Sequence, residues 1–118
     1  MKITEFFYKY DFHDSLIENI IHDCEENIVT FRISFCNWMQ DEYRPHEPEI
    51  VDMKVCFHHV QHFVFEQSEI KLDDDQILDV KIKEFANNFC EVQFIIHGED
   101  LVRIIMIHSD CVEHSCSV

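Results

Sequence analysis

His13, Asp14 and Ser15 stand side by side and supply the three residue types of a hydrolytic triad. A triad needs nucleophile, base and acid chained by hydrogen bonds at one point, whereas consecutive strand residues point to opposite faces. The triplet therefore predicts a local structural role, with Asp14 or Ser15 accepting backbone N–H groups where the next element begins. Contact with a ligand is the other use open to His13 and Asp14.

His58, His59 and His62 form the densest histidine cluster. On a helix, His58 and His62 would share a face at a spacing that suits Zn²⁺. On a strand they stand roughly 13 Å apart, too far for both to reach one ion at about 2 Å. The glutamate of the zinc-protease signature is missing between them, so half-exposed strand histidines are expected and no metal or other cofactor is assigned. Cys111, His114 and Cys116 lack the compact cysteine pairs of a zinc knuckle and predict a frayed tail. Cys24, Cys36, Cys56 and Cys90 lie in or beside apolar segments and predict small buried hydrophobes.

Asp73-Asp74-Asp75 lacks the alternating spacing of an EF-hand loop and predicts a solvated turn. One glycine in 118 residues leaves no material for a phosphate-cradling loop or a nucleophile elbow. The segment from Trp38 to Glu49 carries the only Trp together with Tyr43 and Arg44, types enriched at binding hot spots. Asp41, Glu42 and Glu47 surround them, and Pro45 and Pro48 break regular structure. Trp38, Asp41, Glu42, Tyr43 and Glu47 thus form a candidate partner-binding loop, unless Trp38 folds back to cap the core.

Positioning these residues falls mainly to strands. Val29 to Phe35 alternates strictly between apolar and polar, as does Leu78 to Lys83. Val92 to Ile96 and Leu101 to Ile107 flank His97-Gly98-Glu99-Asp100, which predicts a hairpin with Gly98 in its turn. With so little glycine, the other turns fall to Asn, Asp and Ser. Ser15 to Cys24 and Met53 to Val64 fit helical spacing as well, and periodicity alone does not separate the two states.

Phe12-His13-Asp14-Ser15-Leu16-Ile17-Glu18-Asn19-Ile20, followed by the Asp23–Asn27 turn and the alternating strand, resembles a loose group of small bacterial proteins. In these, a His-Asp-Ser or His-Asp-Ala motif leads into a β-hairpin, and some are similar to immunity proteins of polymorphic toxin systems. Phe57 to Phe63 resembles their middle element. The resemblance implies a β-rich fold, with strands in both ambiguous segments, and brings no catalytic residues. The expectation is one domain over residues 1–118, mainly β, as an antiparallel sandwich or a curved, barrel-like sheet with at most one or two short helices.

Twenty-four Asp and Glu against nine Lys and Arg give a net charge of −15. Such a chain disfavours nucleic acid and anionic membrane, both of which need cations to bind. It suits a basic protein partner, although the same acidity also serves solubility. Met1 to Lys9 lacks the apolar core of a signal peptide, which with the cysteine content predicts reduced thiols and a cytoplasmic setting. The expected function is a non-enzymatic binding protein, monomeric or a small homo-oligomer, acting as an immunity-type inhibitor of a basic toxin. Two alternatives are a metal-dependent or small-ligand enzyme using His13, Asp14 and His58–His62, and a structural or regulatory subunit pairing through a sheet edge.

Overall fold

The alternation from Val29 to Phe35 becomes strand β2 (Ile28–Cys36), whose residues Val29, Phe31, Ile33 and Phe35 are buried while Arg32 faces water. A computed structural model describes residues 1–65, 72, 74–98 and 100–117. A short helix α1 (Ile3–Lys9) precedes β1 (Leu16–Asp23) and β2. Then follow β3 (Ile50–His58), β4 (His62–Phe65), β5 (Asp75–Glu84), β6 (Cys90–Gly98), β7 (Leu101–Ser109) and β8 (Cys111–Ser117). A single 3-10 turn occupies Asn37–Met39, and Ala86–Asn88 forms a tight turn with left-handed Asn87 and Asn88. The mainly β, antiparallel expectation is therefore met.

Among the described residues the strands form one antiparallel sheet in the order β4-β7-β6-β5-β1-β2-β3-β8. The chain itself dictates its curvature. β7 and β8 stand near opposite ends of that order, yet only Asp110 separates them. Two Cα–Cα steps span at most about 7.6 Å, so the sheet must curl until its ends approach. Ser109 secures the bend, its Oγ donating to the carbonyl of His58 at 2.6 Å.

The curl encloses a phenylalanine-rich core in which the rings of Phe31, Phe57 and Phe94 stand 4.8–6.1 Å apart. α1 lies against this core through buried Ile3 and Phe6, three residues apart on one helical face. Phe7 reaches both Phe57 and Phe94.

Both segments that fitted helical spacing are strands. Ser15–Cys24 yields β1, and Met53–Val64 divides into the end of β3, a corner and β4. Period-2 burial decides the second case, since Met53, Val55 and Phe57 are buried while Lys54 is exposed. Among the described residues, left-handed backbone falls on Asp14, Asn27, His59, Asp74, Asn87, Asn88 and Asp100, so Asn and Asp supply most of these turns.

Several expectations are corrected. Gly98 is not the left-handed residue of its hairpin; Asp100 is, at φ 64°, while Gly98 pairs with Leu101. Asp75 is not solvated but 1% exposed, and it accepts from Arg103 Nη2 at 2.5 Å inside the sheet. Asp73 lies outside the described residues. The tail with Cys111 and Cys116 is strand β8, paired with β3, because Val112 is needed to close the core. Cys24 sits in the exposed β1–β2 turn rather than inside, whereas Cys36 and Cys90 are buried.

Candidate functional site

The loop from Asn37 to Glu49 is closed at its neck. Trp38 N–H donates to the Glu49 carbonyl at 3.1 Å and Asn37 Nδ2 to that of Pro48 at 2.9 Å. Inside the loop, Arg44 N–H donates to Glu47 Oε1 at 2.8 Å, and Tyr43 Oη donates to the Glu47 carbonyl at 3.3 Å. Gln40 fastens the loop to the segment after α1. Its Oε1 accepts from Asp11 N–H at 2.9 Å, and its Nε2 donates to the carbonyls of Asp11 and Cys36 at 2.7 and 3.0 Å.

This fastening creates a groove of about 470 Å³ between α1 and the loop, where Tyr8, Tyr10 and Tyr43 meet Asp41, Glu42 and Glu47. A second recess of about 490 Å³ adjoins it, sharing Tyr8 to Tyr10, Gln40 and Asp41 and adding His13 and Asp79. Tyr8 is 95% exposed, a large aromatic surface left to solvent. The Lys9 ammonium lies 5.3 Å from the centre of the Tyr10 ring, so a cation already occupies an aromatic face at this groove.

Four of the five loop residues singled out from sequence, Asp41, Glu42, Tyr43 and Glu47, come together here. Trp38 does not join them. It does not fold back over the core either, being 50% exposed on a 3-10 turn whose backbone is held by the loop neck. Sequence inspection missed Tyr8, Tyr10 and Gln40. An exposed tyrosine gives no periodic signal, and the approach of α1 to the loop is a tertiary contact.

His13, Asp14 and Ser15 separate by role. Ser15 is fully buried, and its Oγ accepts from Cys36 N–H at 3.0 Å, tying the start of β1 to the end of β2. Asp14 adopts φ 67°; its N–H donates to the Ile77 carbonyl at 2.9 Å, and its carboxylate accepts from the Gln76 side chain. The backbone-capping role thus falls to Ser15. His13 alone faces the second recess, its Nδ1 3.3 Å from Asp14 Oδ1.

The other histidines lie at the far end of β3. Ser15 is tied to Cys36, which pairs with Ile50, and His58 is about 26 Å of strand further on. His13 and the His58–His62 cluster therefore do not converge on one pocket. Nor do the cluster members converge on each other. His59 Nδ1 meets Asp110 Oδ1 at 2.7 Å, while His58 Nε2 is 3.3 Å from Glu113 but off hydrogen-bonding geometry. The His62 ring lies 5.1 Å from that of His108 at a tilt of 51°, and His108 contacts Glu91 Oε1 at 3.0 Å and holds that carboxyl below its ordinary pKa. Among the described residues no group of three could hold a metal ion. Burial pushes the Cys36 and Cys90 thiols up, which keeps them protonated and poorly nucleophilic.

His114 sits beneath α1, 3.1 Å from Tyr10 Oη and against the Phe6 ring. Burial pushes its pKa down, helped by the positive charges of Lys9 and the N-terminus. An unfolded chain binds this proton near about pH 6.5 and the folded one only at lower pH. The stability supplied by neutral His114 is complete above that pH and is lost as pH falls through the folded value. Urea unfolding from about pH 7.5 to about pH 5.5 should show falling stability, with a shallower slope in His114→Gln. Equal slopes in the two proteins would remove His114 as the cause.

No protein-family model matches the chain, and no curated protein matches it. Among solved structures, it is similar to one titled as the crystal structure of an uncharacterized protein from Neisseria gonorrhoeae. The TM-score is 0.56 at 16% identity, over 90% of this chain and 94% of that one. At that identity the likeness shows a shared fold and nothing about the groove.

Proposed function

We propose that this chain is a non-enzymatic acidic binding protein that receives a basic segment of a protein partner in the groove between α1 and the 37–49 loop. The observation that carries the proposal is the meeting of Tyr8, Tyr10 and Tyr43 with Asp41, Glu42 and Glu47, with Lys9 already over one ring. Tyrosine faces and carboxylates together favour Lys and Arg side chains. The −15 charge would speed the encounter with a basic partner. Resemblance of the His13-Asp14-Ser15 segment to immunity-type proteins supports a basic toxin as that partner, neutralised in the cytoplasm by covering its active site.

The test begins with proteins retained by the tagged chain from its source cells, identified by mass spectrometry and then purified. Tyr8→Ala is the informative variant, because a side chain this exposed contributes little to folding. Affinity for the identified protein should fall about tenfold or more in Tyr8→Ala and weaken steadily with salt. Lys9→Gln should bind at least as tightly as the parent. Affinity that ignores both salt and Tyr8 would place the partner elsewhere and sink the groove assignment.

A further inference from the structure

On the outer face of the sheet, away from the groove, the register lines up Asn19, Arg32, Lys54 and Ser115, one each from β1, β2, β3 and β8. All four side chains donate hydrogen bonds and two are cationic. Neighbouring strands lie about 4.8 Å apart, so the four donors form a continuous row. They line a cavity of about 420 Å³ that Ile21, 59% exposed, and the carboxylate of Asp52 also border.

Two features of the row run against folding convenience. Arg32 and Lys54 are directly opposite each other, and like charges so placed destabilise a strand pair. A chain with 24 acidic and nine basic residues had ample means to avoid that pairing. The second feature is a register shift in β1 between Ile17 and Asn19. Continued without it, the Ile17–Ile33 pairing would set Glu18 opposite Arg32 as a second carboxylate beside Asp52. The bulge puts Asn19 there instead, and Glu18 accepts from Ser34. Bulges re-aim side chains in this way at functional positions. Asp52 holds one Arg32 nitrogen at 3.1 Å, and among the described residues Lys54 makes no ion pair.

We infer that this row binds the phosphate group of a small phosphomonoester, with Ile21 beside the organic part. Arg32 and Lys54 supply the charge, and Asn19 and Ser115 supply neutral donors on either side. Phosphate oxygens point in several directions and can accept from Arg32 and Lys54 on adjacent strands at once, whereas the two coplanar oxygens of a carboxylate are satisfied by one guanidinium. Asp52 and Glu113 bound the row within the adjacent registers, and the −15 chain repels a long polyanion, which limits the ligand to one compact anion.

Titration of ¹⁵N-labelled protein with phenyl phosphate, inorganic phosphate and acetate tests the inference. Phenyl phosphate should give saturable shifts at Arg32, Lys54 and Ser115, with inorganic phosphate weaker and acetate weaker still. Lys54→Gln and Arg32→Gln should each weaken phenyl phosphate by about tenfold or more. Without ligand, Lys54→Gln should melt above the parent, since it removes the like-charge pair. Shifts that stay linear through the millimolar range, equal binding of acetate, or undiminished binding in both variants would each overturn the inference.

Discussion

Replacing Arg103 with Met lowers unfolding free energy by about 3–5 kcal/mol, one of the two largest single-site effects expected in this protein. Asp75 is 1% exposed, and its Oδ2 accepts from Arg103 Nη2 at 2.5 Å, while the guanidinium lies 5.1 Å from the Phe65 ring centre. Removing the cation leaves the carboxylate inside the sheet without this compensation, and such stranding costs more than the intact pair contributes. Asp75→Asn in the Arg103→Met background should therefore recover a large part of the loss, although it removes a second native group. Urea unfolding of both single variants and the double variant checks this. A loss below about 1 kcal/mol that Asp75→Asn does not alter would mean that the pair behaves like a surface ion pair.

Gly98→Ala is the second, at about 1–3 kcal/mol. A Cβ built on Gly98 would lie 2.5 Å from Asp75 Oδ1 and 2.6 Å from its Cγ, closer than real contacts permit. The Asp75 side chain cannot simply turn aside, because Arg103 holds it. Backbone strain is not the cause, since Gly98 does not adopt a positive φ. The cost should consequently couple to Asp75. In a double-mutant cycle, Gly98→Ala should be much milder in the Asp75→Ser background than in the parent. Additive effects would show that the substitution acts somewhere other than on this carboxylate.

These two positions mark the limit of what is legible in the linear chain. The one glycine of the sequence stands among His97, Glu99 and Asp100, a context that predicts a turn. Its actual partner is a carboxylate on another strand, and no local pattern announces a contact between residues 23 apart, 98 − 75. Asp75 likewise reads as the last of three solvated acids, until β7 supplies Arg103 from the far side of β6. Burial of a charge is decided by its counterion, and the counterion is placed by the fold.

By itself the sequence determined β2 and most of β5, because alternation of apolar and polar residues is written in neighbouring positions and needs no knowledge of partners. The β6–β7 hairpin it determined from two apolar runs about a turn. It also determined the acidity, the Asn and Asp turns, and the carboxylates Asp41, Glu42 and Glu47 that gather around Tyr43. Only the tertiary structure decided the rest. The curl of the sheet, the bulge that swaps Asn19 for Glu18 opposite Arg32, and the docking of α1 that brings Tyr8 and Tyr10 to the loop all depend on distant segments. Each is settled by burial and register among residues far apart in the chain, quantities that adjacent residue types do not encode.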